Sequence, residues 1–373
     1  MGHALLSPSG AHRWLNCTPS ARLEAERADT GSVYAREGTL AHAIAERILK
    51  GEDYEDLKDH ELFYPGMIDE VEDYTGYCLE RLNEAKAADD AGAVMLVEER
   101  LDFSDVVPEG FGTGDCVIVQ NGHLEIIDLK FGKGVVVDPE RNPQLMLYAW
   151  GAYREMHPFY YTIRDITMTV AQVRLDGISS YTMTVGELEE WLEKTVRPAA
   201  ALAYKGKGEF CAGDWCGFCK VRTTCRARAE QMQAYLDLKR KASLDAGEIA
   251  RIILAKKEIE GWLKDIDAYA LDEALAGASF PGLKLVEGRS NRRIDDPEAL
   301  AERLIAGGFD EESIYKPKQL ETLTKLESLV GKKAFAELGE GVVVKPPGKP
   351  TLVAESDKRP AMNTVEDDFE FEN

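Results

Sequence analysis

Gly112-Thr-Gly-Asp-Cys-Val-Ile-Val-Gln-Asn-Gly-His-Leu-Glu-Ile-Ile-Asp-Leu-Lys130 holds two short apolar runs around a turn signal. The runs are Val117–Val119 and Leu124–Ile127, and the residues between them include Asn121-Gly122, a strong local signature of a β-hairpin. With those two residues as the turn, strand partners sum to 243, so Gln120 faces His123 and Asp115 faces Asp128. Opposed residues on one sheet face have Cβ atoms roughly 4.5–5.5 Å apart, where like charges destabilise. Lys130 lies two residues past Asp128 and shares its face. Two carboxylates forced together beside a lysine weaken a sheet and suit a divalent cation.

Outward from the hairpin, helix and strand patterns alternate. Leu5–Cys17 reads as a short helix capped by Ser7 or Ser9. Gly38–Lys50 has Leu40, Ile44 and Ile48 on one face, with His42 and Glu46 one turn apart beside them. Ile68–Ala88 repeats the pattern through Val71, Tyr74, Cys78 and Leu82, and Val94–Phe103 is a strand leading into the hairpin. Val135–Val137 is expected as a further strand, and Pro143 opens a helix carrying Gln144 and Tyr148. Ile163–Leu175 and Ser179–Val185 follow as strands, and Glu187–Tyr204 as a long helix. This order describes an α/β (α+β) fold with a mixed central sheet flanked by helices. Beyond it come a cysteine-rich segment, a helical pair (Arg226–Lys241, Ala246–Ala276) and a small C-terminal module starting at Gly282. Its expected helices lie near Pro297–Ala306 and Pro317–Leu338. The expected divisions are 1–235, 236–281, 282–350 and an acidic tail, 351–373, too charged and short to pack.

Composition narrows the function classes. The chain has 373 residues, 44% of them hydrophobic, enough for a full core. No apolar run approaches the roughly 18 residues of a membrane span, and Met1–Gly10 lacks an export signal's basic start and apolar core. A cytoplasmic protein without a membrane partner is expected, its seven cysteines serving as thiols or ligands. Net charge is −22, and the five acids of Ala361–Asn373 account for only part of it. Overall acidity governs solubility and steering, whereas phosphate binding needs only a local basic surface. Lys220–Lys241 offers one, with seven Lys/Arg against Glu230 and Asp237, although a solvated helix face explains it as well.

Acid-x-Lys alone is a weak signal, recurring in helical stretches at Asp56–Lys58, Glu84–Lys86 and Asp237–Lys239. At Asp128–Lys130 it sits on a strand with a second acid opposite. Phosphodiester hydrolysis needs a hard cation to neutralise developing charge and lower the pKa of water, and a fixed ammonium near the scissile phosphate adds to this. Asp115 and Asp128 are candidate ligands for Mg²⁺ or Mn²⁺, with His42 as a third if its helix crosses the sheet. A lone helical histidine is more often structural, and Gln144 with Tyr148 on a helix face are more often core and surface.

Gly38-Thr-Leu-Ala-His42, Gly-Thr-Gly-Asp115, Asp128-Leu-Lys130 and Gln144-Leu-Met-Leu-Tyr148, in that order, resemble the RecB-type branch of the PD-(D/E)XK nucleases. The resemblance implies a restriction-endonuclease-like core with helical and small C-terminal additions. It also implies metal binding by His42, Asp115 and Asp128, assistance to the attacking water from Lys130, and a Gln144–Tyr148 helix that borders the site and contacts DNA. Asp128 stands where Glu is commoner, an allowed variant.

Cys216-x2-Cys219-x5-Cys225 places three thiolates within ten residues, and Cys17 is a distant fourth. Iron–sulfur nucleases of the same branch, such as AddB-like subunits and CRISPR spacer-acquisition nucleases, share this arrangement. By that resemblance Cys17, Cys216, Cys219 and Cys225 would hold a [4Fe–4S] cluster, a staple closing a loop of about 200 residues. The alternative is Zn²⁺ on Cys211, Cys216, Cys219 and Cys225, with Cys17 a buried thiol. Cys78 and Cys116 are expected in the core.

The resemblance spans roughly Leu5–Arg228 and the layout looks like phage-encoded single-chain nucleases without a helicase motor. It implies a metal-dependent DNA exonuclease acting on linear single- or double-stranded ends in phage recombination or replication. A phage single-strand annealing or single-strand-binding protein is an implied partner, and an oligomer is compatible with it. The competing class is a non-catalytic DNA-binding or assembly factor on the same scaffold.

Overall fold

The computed structural model describes residues 4–27, 33–88, 92–134, 136–160, 162–175, 177–236, 243–286, 296–308, 310, 314–315, 320–344, 352–357 and 359. The Lys345–Pro350 linker, the acidic residues from Ala361 to Asn373 and Lys239–Lys241 of the basic patch lie outside them. A five-stranded sheet forms the centre, built from β1 (Val94–Asp102), β2 (Phe111–Gln120), β3 (His123–Leu129), β4 (Asp165–Gln172) and β5 (Gly177–Thr184). They lie side by side in sequence order, with β3 and β4 parallel and every other neighbouring pair antiparallel. The mixed α/β architecture expected from the pattern is therefore the one observed.

The hairpin keeps its expected register. Gln120 pairs with His123 and Cys116 with Ile127, so partners sum to 243, and Gly122 takes the left-handed turn conformation at φ 86. The ladder's last pair is one step short of Asp115 and Asp128. Parallel β3 and β4 need a crossover of a dozen residues or more, and α5 (Pro143–Met156) lies in it, capped by the Asn142 side chain on the amides of Gln144 and Leu145. Of the expected strand Val135–Val137, Val135 lies outside the described residues, and the other two are not in the sheet: Val136 is exposed and the Val137 amide donates to Gln172 Oε1. Both edges of β3 are already taken by β2 and β4, so the run leaves the sheet as a loop.

Each sheet face has its own core. On one, Leu124, Ile126, Met168 and Val170 pack with Leu145, Met146 and Ala149 of α5. On the other, Cys116, Ile118, Ile127 and Leu129 meet Leu40, Ala41 and Ile44 of α3 (Val33–Lys50) and Met67, Val71, Tyr74 and Cys78 of α4 (Gly66–Ala88). Both helices follow their apolar spacing. The expected 187–204 helix is interrupted, running as α6 (Val185–Trp191), a π-helical turn at Leu192–Val196 and α7 (Arg197–Tyr204). Pro198 at the start of α7 has no amide to continue the regular ladder.

The N-terminal helices clasp the 204–220 segment. In α1 (Ala11–Asn16) and α2 (Ser20–Ala25), Arg13 binds Glu24 at 2.6 Å, and Glu24 also accepts the Lys220 amide at 2.7 Å. Arg22 and Thr18 donate to the carbonyls of Tyr204 and Lys207, each at 2.7 Å. Beyond this lie α8 (Arg226–Tyr235), α9 (Ala246–Leu275) and α10 (Pro297–Ala306), then the helices Leu323–Val330 and Lys332–Leu338, which pack on α4. Among the described residues, no helix is long and apolar enough to cross a membrane.

Candidate active site

β1 and β2 are distorted where the site forms. Glu98 has φ 52, a conformation that costs a non-glycine residue about 1 kcal/mol or more. Pairing runs from Val97↔Cys116 to Glu99↔Gly114 and skips the step between, where Glu98 stands across from Asp115. Leu96 and Leu101 consequently join the same core although they are five apart, which strict alternation forbids. On β2, a Cβ at Gly112 would stand 2.7 Å from Tyr148 Cε1 and from Pro8 Cγ. The glycine lets the Tyr148 ring lie on the strand.

α3 brings His42 to this distortion. His42 Nδ1 lies 3.4 Å from Asp115 Oδ1 and 3.7 Å from Glu98 Oε1. Among the described residues these three alone offer a set of ligand atoms all within 4.8 Å of one another. Glu98 was not among the expected ligands. Asp128, which was, stands apart from the trio, held by its neighbours: Lys130 Nζ lies 2.8 Å from Asp128 Oδ2, and Gln144 Nε2 donates to Asp128 Oδ1 at 3.3 Å. Gln144 also accepts from Lys130 Nζ at 3.2 Å and donates to the Tyr148 hydroxyl at 3.2 Å. His42, Asp115, Asp128, Lys130, Gln144 and Tyr148 thus converge. Glu46, one turn from His42, pairs with Lys50 at 2.6 Å.

The electrostatics follow from burial and pairing. Burial opposes the charged form of His42, but the Asp115 charge and hydrogen bonds that the ring donates to Asp115 and Glu98 push its pKa up to about 10. Burial would raise Asp115, yet His42, Lys130 and the Leu129 amide, which donates to Asp115 Oδ2 at 2.7 Å, hold it low. Asp128 is raised, chiefly by burial, with Lys130 opposing and Asp115 reinforcing. Lys130 resists burial through Asp128 and stays above the ordinary lysine range. Burial raises the Tyr148 phenol as well, so it keeps its proton.

One further residue escaped the sequence reading. Arg174, just past β4, donates to Glu37 of α3 at 2.9 Å and to the Phe131 carbonyl at 3.4 Å, and lies 3.6 Å from Glu70 of α4. It ties the histidine helix to the residue after Lys130. In the basic patch, by contrast, Arg222 and Arg228 are paired with Asp265 at 3.1 and 2.7 Å.

The cysteines form a second locus. Cys17, Cys211, Cys216, Cys219 and Cys225 line one cavity between the N-terminal helices and the 211–225 loop. Cys17, Cys216 and Cys219 are buried and Cys211 is exposed. Burial raises the thiol pKa of Cys17 and Cys216 and pushes Cys219 up to about 11. Cys78 and Cys116 are in the core as expected.

A family model described as "Protein of unknown function (DUF2800)" matches residues 3–360. Among solved structures, the chain is similar to a candidate exonuclease from Eubacterium rectale at 13% identity, covering 65% of this chain and 92% of that one with a TM-score of 0.34. It is also similar to an alkaline exonuclease from Laribacter hongkongensis, again at 13% identity, covering 52% and 93% with a TM-score of 0.21.

Proposed function

This chain belongs to the DUF2800 family, and we propose that it is a divalent-metal-dependent DNA nuclease of the RecB-like PD-(D/E)XK type, working as an exonuclease on linear ends. The observation that carries the reading is the meeting of His42 with Asp115 at 3.4 Å beside the Lys130–Asp128 pair at 2.8 Å. One side chain comes from a helix on one sheet face and three from a hairpin, and packing alone gives no reason to gather them.

The donor set fits a cation. His42, Glu98 and Asp115 bring one imidazole nitrogen and two carboxylate oxygens within 4.8 Å of one another, while Asp128 Oδ2 is engaged by Lys130 Nζ at 2.8 Å. Two carboxylates gathered in a part-buried site are costly unless a positive group lies between them. His42, Glu98 and Asp115 would hold the ion, with Asp128 beside them. One imidazole among oxygen ligands suits Mn²⁺ better than Mg²⁺. The ion would supply charge neutralisation at the phosphate and acidify water. Lys130, kept protonated by Asp128, donates to a phosphate oxygen or orients the attacking water and does not act as a base. Gln144 fixes Asp128 and Lys130 relative to each other, and Tyr148 keeps a proton to offer at the rim.

The cysteine cavity fits the [4Fe–4S] reading: it sets Cys17, from the N-terminal helices, beside Cys216, Cys219 and Cys225 of the 211–225 loop, the four residues that would hold the cluster. Zinc on Cys211, Cys216, Cys219 and Cys225 would leave Cys17 without a role there. Cytoplasmic action on phage DNA ends, beside a single-strand annealing or single-strand-binding protein, completes the proposal.

The test is digestion of end-labelled linear DNA by the purified protein with Mn²⁺, Mg²⁺ or EDTA. Wild type degrades the DNA with either metal and not with EDTA. Asp128→Ala and Lys130→Ala lose about 100-fold or more in rate while retaining the wild-type circular dichroism spectrum. Undiminished digestion by either variant rejects the assignment, and DNA binding without cleavage by wild type favours the scaffold reading.

A further inference from the structure

α9 is 30 residues long and, among the described residues, is held to the rest of the protein along one side. On that side Ala255 is buried, Glu258 meets the Tyr235 hydroxyl at 3.0 Å, and Asp265 binds Arg222 and Arg228. The opposite side is exposed from end to end. Ile249 and Ile253 lie near its start and Leu271 and Leu275 near its end, all between 41% and 67% exposed. Between these apolar ends the same stripe carries Lys257, Glu260, Lys264 and Asp267, also exposed. The spacings of three and four residues keep all eight on one helix face.

We infer that this face is a self-association surface, on which α9 of a second copy lies antiparallel about a two-fold axis level with residue 262. In that register partners sum to 524 and every opposition is favourable. Ile249 meets Leu275 of the second copy and Ile253 meets its Leu271, while Lys257 opposes Asp267 and Glu260 opposes Lys264. The two-fold axis repeats each pair, so two apolar clusters flank a centre of four opposite-charge contacts. A parallel dimer in register would instead set Lys257, Glu260 and Lys264 each against its own copy, and like charges so placed repel. A helix of this length runs about 45 Å, and two such faces in contact bury on the order of 1,500 Å², the size of a specific interface. The opposite side of α9 stays on α8, so pairing requires no rearrangement of the nuclease-like core.

Sedimentation velocity of the full chain at tens of micromolar tests this. Wild type runs as a dimer of the 41.4 kDa chain. Ile253→Asp and Leu271→Asp each raise the dimer dissociation constant by about 100-fold, with circular dichroism unchanged because both positions are exposed. Glu260→Lys and Lys264→Glu each weaken it by about tenfold, and the double variant, which restores opposite charges across the antiparallel pair, returns to the wild-type constant. A wild-type monomer overturns the inference. So does any assembly that the two aspartate variants leave intact, or a double variant no tighter than the single ones. None of these readouts depends on nuclease activity.

Discussion

His42 Nδ1 lies 3.4 Å from Asp115 Oδ1, a contact between a helix packed on one face of the sheet and a strand within it. If the site holds the proposed cation, the pair is a proton gate for it. His42 has a pKa pushed up to about 10, so at neutral pH it carries a proton that a coordinating cation must displace. Mn²⁺ binding should release about one proton per ion at pH 7.5, and affinity should rise with pH toward that pKa. Calorimetric titrations in two buffers of different ionisation enthalpy give the number directly. Identical heats in both would remove His42 from the ligand set.

The same pair stabilises the metal-free protein over a defined range. His42 is raised from 6.5, so its contribution is complete below pH 6.5 and disappears as pH climbs through about 10. Asp115 is lowered from 3.8, so its contribution is present above pH 3.8 and lost as pH falls through the folded value. Both are in place between those limits. The urea midpoint of wild type should exceed that of His42→Asn most between pH 4 and 6.5, with the gap closing toward pH 10. A gap that widens with alkalinity contradicts the pairing.

Glu98 separates stability from ligation. Glycine tolerates φ 52 where alanine does not, so metal-free Glu98→Gly should be more stable than Glu98→Ala by roughly 1 kcal/mol. Both lose the carboxylate and should bind Mn²⁺ about 10- to 100-fold more weakly. Thermal unfolding and calorimetry on the two variants check the halves separately.

Gln144 tests whether its helix positions the site or grips DNA. Its amide already donates to Asp128 and Tyr148 and accepts from Lys130, which employs both donors and the acceptor. Gln144→Ala should therefore lower kcat about 10- to 100-fold with KM for DNA little changed. A rise in KM at constant kcat would make it a DNA contact.

The hairpin was legible because alternation and a two-residue turn fix register locally, and that register brings Asp115, Asp128 and Lys130 to one end of the sheet, although the ladder stops one pair short of the two aspartates. His42 could be placed only by resemblance, since nothing in Gly38–Lys50 says that the helix reaches the end of β2. Glu98 was hidden because Glu98-Glu99-Arg100 reads as a solvent-facing edge. The mismatched parity of Leu96 and Leu101 was the one local trace of the distortion at Glu98. Val135–Val137 misled in the opposite sense, because β propensity cannot reveal that both neighbouring edges are filled.

The cysteine cavity closes the chain on itself, and its loss should be felt far from it. Cys17 is held at the end of α1, and Cys216, Cys219 and Cys225 lie about 200 residues later, so a cluster joining them restricts the unfolded chain as a cross-link does. Arg13–Glu24 and the Lys220 amide already align the two ends, which lets the thiols meet without reordering the backbone. Anaerobically purified protein should be brown, with a broad band near roughly 400 nm, and Cys17→Ser should lose it. That variant should also unfold several degrees lower, while Cys211→Ser keeps both the band and the melting temperature. If Cys211→Ser is the damaging substitution and bound zinc is found in its place, the four local thiols form the site and Cys17 is only a packed side chain.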